Sequence, residues 1–463
     1  MRNLLVLILL ALITIKAVAV IALGPVPIER DAWGYWKLST LVMSGDWLML
    51  ADPIAYRTPV YPWFLAILRA IAGEYALPVI AIAQSVLMVA SIGIAGQIAA
   101  RITRLPNAMV WTLLLTLPAV SAFTYNAALL SESLFIFLLM MHLLMMLHYD
   151  EEPSATRAVL VGLTFGFVLL TRPIVLLLWM VHIPFVLWSH CRRRKRVGKD
   201  ASERVKLHGR VGHGMLAALA AIAIVTPWIA RNEIVFDEPF ITQFVGRNLW
   251  VVTFQDGSGA GLDLPATESS ESLQQRFNRT SNADADWRLT WTVSNALVES
   301  GLSDPQTDRL MQQVSLDAIK SDQPTFAYKA FRRTVNFWRA AATQLPAQGM
   351  QGNYLGELIW IYRIPVLEAA IKYRLSQSVL LNTLLTGMIV GAGIVLLINR
   401  PSRPYALWVL MILAYFAVIT GVFEIPHYRY RIVVEPLTAA LGGAAIAVLL
   451  SRRRKPASVI TSS

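Results

Sequence analysis

The sequence predicts an all-α polytopic membrane protein with about ten transmembrane helices. Hydrophobic residues make up 56% of the 463 residues and charged residues only 15%, whereas soluble domains carry about 25% charged residues. The apolar residues are gathered into runs close to membrane length, and the basic residues lie in short clusters between these runs. Composition, run length and charge placement therefore all predict repeated membrane crossing.

Ten apolar runs are the predicted transmembrane helices. They cover residues 4–23, 78–100, 107–124, 129–147, 157–170, 173–190, 213–230, 376–398, 405–421 and 432–450. Lys16 interrupts the first run and further runs follow it, so we interpret it as a retained helix and not as a cleaved signal peptide. The runs 157–170 and 173–190 are short and are separated only by Thr-Arg, so they could be two full spans or a broken hairpin.

The net charge of +12 comes from basic residues whose positions indicate how the chain crosses the membrane. Basic clusters occur at 101–104, 191–196, 399–403 and 452–455, each between or after apolar runs. This pattern is typical of cytoplasmic loops and does not resemble a nucleic-acid-binding groove, so no nucleic-acid partner is predicted. It places the N-terminus and the C-terminus in the cytoplasm.

Two long segments are then predicted on the outer side. The loop 24–77 follows the first helix and contains interfacial helices, and residues 231–375 form a small helical extracytoplasmic region. The predicted division is a catalytic transmembrane module at 1–230, the outer region at 231–375, and C-terminal helices with a basic cytoplasmic tail at 376–463. Cys191 is the only cysteine, which excludes an internal disulfide framework and a cysteine-built metal site.

The stretch RDAWGYWKLSTLVMSGDW at 30–47 predicts an amphipathic helix over 32–44. At 100° per residue, Asp31, Tyr35, Leu38 and Val42 share one stripe, and Gly45 ends the helix. Its aromatic residues favour the membrane interface. Asp31 could simply cap the helix, or it could have a functional role, and spacing alone leaves both readings open.

Five segments in order resemble the C-type (GT-C) glycosyltransferases, in particular the bacterial branch of dolichyl-phosphate-mannose protein mannosyltransferase-like and aminoarabinose transferase-like membrane proteins of glycosyltransferase types 39 and 83. They are the opening stretch with YRTPVYPWFLAILRAIAG, then YNAALLSESLFIFLL at 125–139, LTRPIVLLL at 170–178, TPWIARNEIVF at 226–236 and HYRYRIVVEPL at 427–437. The aminoarabinose transferases carry an arginine where this chain has Gly34 and a lysine where it has Thr58.

The resemblance implies an inverting sugar transfer on the outer, periplasmic face from a polyprenyl-phosphate donor, in a multi-pass protein of the bacterial inner membrane. Asp31 matches the catalytic acid of the first loop, and Glu132 matches a second acid of the family pattern. The leaving phosphate requires cations, for which arginine is best suited. The candidate substrate- and phosphate-binding residues are Arg57, Tyr61, His427, Arg429 and Arg431.

Other roles remain open at this point. The acceptor could be a lipid, a glycan or a protein, and membrane lipids are further partners. No cofactor or metal ligand is predicted, although a divalent metal is possible. We expect Arg172 and Arg231 to be membrane anchors or partners of loop carboxylates. An alternative function is a transporter or flippase of a lipid-linked glycan, and a third is a non-catalytic protein that binds polyprenyl phosphate.

Overall fold

The protein is all-α in the computed structural model, which describes residues 2–21, 28, 31–117, 125–197, 202–282, 284–339 and 378–453. Within these ranges no residue lies in a β-strand, as the sequence predicts. The helices of the first half are α1 (Arg2–Ile21), α2 (Asp31–Met43), α3 (Val60–Ala72), α4 (Ala76–Thr103), α5 (Asn107–Thr116), α6 (Glu132–Glu151), α7 (Ala155–Leu169), α8 (Trp179–Val197) and α9 (Ser202–Phe236). Those that follow are α10 (Val245–Phe254), α11 (Glu268–Thr280), α12 (Thr290–Glu299), α13 (Asp304–Ser321), α14 (Gln323–Arg339), α15 (Ser378–Ile398), α16 (Arg403–Phe423), the short α17 (Tyr428–Arg431) and α18 (Glu435–Arg453).

Five helical segments of the described chain are long and apolar enough to cross a membrane. They are Val60–Thr103, Glu132–Glu151, Val211–Phe236, Arg403–Phe423 and Arg429–Arg452. Further apolar helices are shorter, at Arg2–Ile15, Asn107–Thr116, Ala155–Leu169, Pro173–Trp188 and Leu385–Ile398. Each of the ten predicted runs overlaps a helix, but length and composition identify five spans among the described residues and not ten.

The segment 157–190 contains two helices with a break between them. Helix α7 begins after Ser154, whose hydroxyl accepts a hydrogen bond from the backbone N–H of Arg157. It ends at Leu169, and a 3₁₀ turn over Pro173–Leu178 leads into α8. Helix α7 packs so closely on α9 that position 162 requires glycine. A Cβ at Gly162 would lie 2.0 Å from the carbonyl oxygen of Ala217.

The C-terminal helix α18 lies in the middle of the bundle, against α4, α5 and α15. Its close approach to α5 requires glycine, since a Cβ at Gly443 would lie 2.3 Å from the hydroxyl oxygen of Thr112. Leu441 and Ala444 on the same helix are fully buried. The first and last parts of the chain therefore share one hydrophobic core.

Helices α10–α13, together with the start of α14, enclose a second, smaller core. It is built on Trp250, Phe254, Val293, Met311 and Val314, all of which are fully buried. The helical character predicted for this part of the chain is confirmed as far as Arg339, since α13 begins after a capping box of Ser303 and Gln306 and α14 follows directly. The predicted outer region extends to residue 375, and its part beyond Arg339 lies outside the described residues.

The amphipathic helix predicted over 32–44 is confirmed as α2. Tyr35, Leu38 and Val42 are buried on one face, and Lys37 and Thr40 are exposed on the other. The helix ends where Gly45 adopts a φ of +95°, a backbone conformation that favours glycine. Asp31 is therefore the first residue of a helix whose apolar face packs against the bundle.

Candidate functional site

A cavity of about 580 Å³ lies between α2, the loop before α3, the 3₁₀ turn after α7, the helices α10 and α12, and the α16–α17 connection. Its charged lining residues come from four separate parts of the chain. These residues are Asp31, Arg57, Arg172, Arg247, Glu424 and Arg429. The fold thus brings distant charges to one concave site, which is where functional sites usually lie.

Asp31 is held between two guanidinium groups. One carboxylate oxygen accepts a hydrogen bond from Nη2 of Arg57 and the other from Nη1 of Arg429, each at 2.8 Å. Burial by itself would raise the pKa of Asp31, but the charges of the two arginines and their hydrogen bonds outweigh it and hold that pKa well below its ordinary value. The side chain is still 40% exposed, so the carboxylate is both ionised and accessible from the cavity.

Glu132 is a second acid, linked to Asp31 through Arg429. Its side chain is buried at the start of α6, where Oε1 accepts hydrogen bonds from Nη1 of Arg172 at 2.9 Å and from Nε of Arg429. Arg429 therefore bridges Asp31 and Glu132. The charge cluster consists of five linked residues: Arg57, Asp31, Arg429, Glu132 and Arg172. Its three arginines and two carboxylates carry a net charge of +1.

Arg57 is fixed by the packing of its loop. The hydroxyl of Thr58 donates to the carbonyl oxygen of Thr171 at 3.1 Å, which ties the loop to the end of α7. The guanidinium of Arg57 lies 4.4 Å from the centre of the Tyr35 ring, a cation–π contact. It also lies beside Gly34, because a Cβ at that position would be 3.6 Å from its Nη2. A larger side chain at Gly34 would compete with Arg57 for this space.

The α16–α17 connection supplies Glu424, and α17 supplies Arg429. The geometry of this connection is set locally, since Nδ1 of His427 accepts the backbone N–H of Arg429 at 3.0 Å. The hydroxyl of Tyr430 donates to Oε2 of Glu424 at 3.0 Å. Desolvation raises the pKa of Glu424 to about 7, although this hydrogen bond and the charges of Arg172 and Arg429 oppose the rise. Glu424 is therefore a cavity carboxyl that titrates near neutrality.

Four of the predicted site residues do not line the cavity: Glu132, whose contacts with Arg172 and Arg429 are given above, and three predicted substrate-binding residues. The hydroxyl of the buried Tyr61 donates to Oε1 of Gln84 at 3.0 Å. Arg431 is also buried, and it donates to the carbonyl oxygen of Trp338 at 3.2 Å and to Glu435 at 3.4 Å. His427 contributes its ring nitrogen to the backbone contact already described. Roles for these three residues in substrate binding remain predictions.

The structure specifies the contacts of two arginines that the sequence left general. Arg172 has a carboxylate partner, as expected, but that partner is Glu132 at the start of a long helix and not a loop residue. Arg231 is buried and donates to the carbonyl oxygens of Leu48 and Met49, so it holds the first loop. In the sequence, Arg172 is marked by its position in the two-residue break between the apolar runs 157–170 and 173–190.

Glu424 was not selected from the sequence. In the sequence Glu424 is an acid between the last two apolar runs, and this position does not indicate that it lines a cavity. Among the described residues no group of three or more His, Cys, Asp or Glu side chains is arranged to hold a metal ion.

These features define an integral membrane protein of helical fold with a charged cavity at the ends of several helices. Residues 56–230 match the family model of dolichyl-phosphate-mannose-protein mannosyltransferase, which confirms the predicted resemblance over this part of the chain. The matched segment contains Arg57, Glu132 and Arg172, whereas Asp31 and Arg429 lie outside it. No curated protein matches the chain in sequence.

Two solved structures are similar over most of the chain. The Archaeoglobus fulgidus oligosaccharyltransferase, solved with a tethered acceptor peptide, has a TM-score of 0.45 and 11% identity, covering 96% of this chain and 50% of that one. ArnT from Cupriavidus metallidurans in the apo state has a TM-score of 0.40 and 14% identity, covering 91% of this chain and 77% of that one. The chain thus spans about half the length of the oligosaccharyltransferase.

Proposed function

We propose that the protein is a membrane glycosyltransferase that moves a sugar from a polyprenyl-phosphate donor to an acceptor on the outer face of the membrane, with inversion and with Asp31 as general base. The observation that carries this proposal is the placement of an accessible carboxylate between Arg57 and Arg429 in the wall of the cavity. The match of residues 56–230 to a mannosyltransferase family supports the same class of reaction.

The residues of the cavity suit a phosphate leaving group. A sugar phosphate departs with its own negative charge, so the reaction needs no general acid on the leaving oxygen. It needs preorganised cations near that charge, and Arg57, Arg429 and Arg172 supply them. A guanidinium is well suited to this task because its planar fork can bind two phosphate oxygens at once.

Donor binding would also activate the base. A phosphate that draws Arg57 and Arg429 toward itself weakens their hold on Asp31, whose pKa then rises toward its ordinary value. A carboxylate with a higher pKa is a stronger base for the proton of the acceptor hydroxyl. The resting ion pairs would thus keep Asp31 weakly basic until the donor phosphate is in place.

The fold as well as the charges supports the proposed donor class. The described residues contain no strand, and hence no Gly-rich strand–helix turn of the kind that binds nucleotide diphosphates. Tyr415, Ile419 and Phe423 of α16 line the cavity, and α16 is long and apolar enough to cross a membrane, so a lipid-anchored phosphate could reach the cavity from the bilayer. The lipid chain would add binding energy remote from the reacting carbon.

The proposed location is the bacterial inner membrane, with both termini in the cytoplasm and the cavity on the opposite side. The basic clusters at 101–104 and 399–403 support this orientation, because cytoplasmic loops are enriched in lysine and arginine. They lie at the ends of α4 and α15, whereas Asp31 and Glu132 are the first residues of α2 and α6, which this orientation would place on the opposite side.

The test is sugar transfer by purified full-length protein in liposomes, supplied with either a polyprenyl-phosphate sugar or a nucleotide sugar. We expect transfer only from the lipid-linked donor. Robust transfer from a nucleotide sugar without any lipid phosphate would contradict the proposal. Movement of the lipid-linked sugar across the bilayer without any transfer would instead favour the flippase.

A further inference from the structure

Three aromatic rings in mutual contact line the cavity next to Arg57. The ring centre of Tyr56 lies 5.4 Å from that of Phe244 and 5.7 Å from that of Trp291, and the last two are 6.0 Å apart. All three residues line the cavity. Trp291 is 45% exposed, so the cluster offers aromatic surface to the cavity and is not only an internal packing contact.

Polar groups without partners lie beside these rings. The hydroxyl oxygen of Thr290 is buried and has no hydrogen-bond partner among the described residues, although Thr290 lines the cavity. The side-chain amide of the half-buried Asn248, also in the lining, makes no hydrogen bond within the described chain. A buried hydroxyl without a partner is costly, so its position favours a ligand that completes the hydrogen bond.

An aromatic surface with hydrogen-bonding groups at its edge suits a sugar ring. One face of a pyranose consists of C–H groups that carry slight positive charge, and the face of an aromatic ring carries negative charge. The hydroxyl groups at the rim of the sugar need donors and acceptors, which a threonine hydroxyl and an asparagine amide both provide. A site made only for a hydrocarbon chain would gain nothing from Thr290 and Asn248.

The position of the rings distinguishes the acceptor from the donor. The donor sugar is bonded directly to the phosphate, so it must lie next to Arg57 and Arg429. Phe244 lies just before α10 and Trp291 lies in α12, and α12 packs against α10, α11 and α13. On the proposed orientation α10 and α12 belong to the outer region of the chain, so Phe244 and Trp291 would lie on the side from which an acceptor outside the membrane arrives.

Resting on the proposed function, we propose that Tyr56, Phe244 and Trp291 form an aromatic platform that binds a sugar ring of the acceptor, with Thr290 and Asn248 as its polar contacts. The acceptor is accordingly a glycan, or the glycan part of a larger molecule. Tyr56 also links the platform to the reaction centre, since the Arg57 guanidinium lies 5.6 Å from the centre of its ring.

The test measures two binding reactions of the purified full-length protein. The first is binding to an array of oligosaccharides and unglycosylated peptides, and the second is binding to polyprenyl phosphate in detergent micelles. We expect Trp291→Ala to weaken oligosaccharide binding about tenfold or more and to leave polyprenyl phosphate binding unchanged. Trp291→Phe should recover much of the loss because it restores an aromatic face.

A matched control is Tyr328→Ala, which removes an exposed aromatic ring that does not line the cavity. It should bind oligosaccharides like the wild-type protein. Equal oligosaccharide binding by the wild-type protein and Trp291→Ala, or binding of peptides but of no oligosaccharide, would overturn the platform. If the wild-type protein showed no binding to polyprenyl phosphate, the proposed donor would be contradicted instead. The two proposals can therefore fail separately.

Discussion

Asp31 has two possible roles at the start of α2, and one substitution separates them. Asp31→Asn keeps a side-chain oxygen that can cap the helix, but it removes the negative charge and the basicity. We expect the variant to fold and to lose about a hundredfold or more in transfer rate, the size of a general-base contribution. The measurement is transfer in liposomes, with the thermal unfolding temperature of each purified variant as the folding check.

The matched control for Asp31 is Asp52→Asn. Asp52 belongs to the same loop and pairs with Lys37 at 2.5 Å, but it does not line the cavity. It should retain activity. If Asp31→Asn were as active as the wild-type protein, Asp31 would have no part in the mechanism, and if only this variant failed to fold, the structural reading would be favoured.

Glu424 makes stability depend on pH in a direction that can be worked out. Its pKa is about 7 in the folded protein and 4.5 ordinarily, so between these values the folded state binds the proton more tightly than the unfolded state. The free energy of unfolding therefore falls as pH rises from about 4.5 to 7. Glu424→Gln should remove this fall and unfold a few degrees higher than the wild-type protein at pH 8.

Thermal unfolding in detergent at pH 5 and pH 8 measures the effect. The difference between Glu424→Gln and the wild-type protein should be small at pH 5, where Glu424 is protonated. Glu299→Gln, at an exposed glutamate, is the control and should unfold like the wild-type protein at both pH values. A difference that is the same at pH 5 and pH 8 would mean that Glu424 does not titrate in this range.

At the scale of secondary-structure elements, helix α10 begins with a cap from another helix. The backbone N–H groups of Gly246 and Arg247 donate to the two carboxylate oxygens of Asp308, each at 3.0 Å. Asp308 belongs to α13 and is fully buried. Gly246 allows the approach, because a Cβ there would lie 1.8 Å from the carbonyl oxygen of Asp308.

Asp308→Ala should therefore destabilise the region around α10 and α13. It leaves two buried N–H groups without an acceptor and leaves Arg247 without one of its carboxylate partners, at a cost of about 2–4 kcal/mol. The measurement is chemical or thermal unfolding followed by tryptophan fluorescence, since Trp250 lies in the adjacent core. Asp317→Ala on the same helix is the control, because its carboxylate is more exposed and accepts from the side chains of Ser269 and Lys320.

Helix positions were more predictable than the ends and lengths of spans. The amphipathic helix α2 was placed within one residue at each end, because its apolar spacing and its terminal glycine are local signals. The segment 157–190 was ambiguous because the Thr-Arg break between its apolar runs can join two spans or interrupt one. The structure resolves the break, with a 3₁₀ turn after it, and the packing of α7 on α9 depends on glycines whose partner the sequence does not reveal.

At the scale of the whole molecule, the orientation in the membrane is testable with the single native thiol. Cys191 lies beside the basic run 192–196, and we predict that both face the cytoplasm. A membrane-impermeant maleimide should therefore leave Cys191 unlabelled in intact cells and label it after the membrane is permeabilised. Labelling of intact cells would reverse the orientation and move the cavity to the cytoplasmic side.

A positive control for this experiment is Glu299→Cys in a Cys191→Ser background. Glu299 is exposed at the end of α12, in the region predicted to lie outside. Its thiol should be labelled in intact cells. The two positions should thus give opposite labelling patterns if the chain crosses the membrane as proposed.

The sequence by itself determined the membrane class, the helical fold and the amphipathic helix α2, and its resemblance to a known family selected Asp31 and Glu132 as acids worth testing. These conclusions depend on composition, on local periodicity and on short motifs, which are properties of neighbouring residues. Only the tertiary structure decided which arginine pairs with which carboxylate. Asp31 and Arg429 are 398 positions apart, and their contact, like that of Glu132 with Arg172, exists because separate helices pack at particular close approaches. The same packing left Tyr61 and Arg431 outside the cavity and brought Glu424 and the three aromatic rings into it, since the direction in which a side chain points depends on the whole bundle.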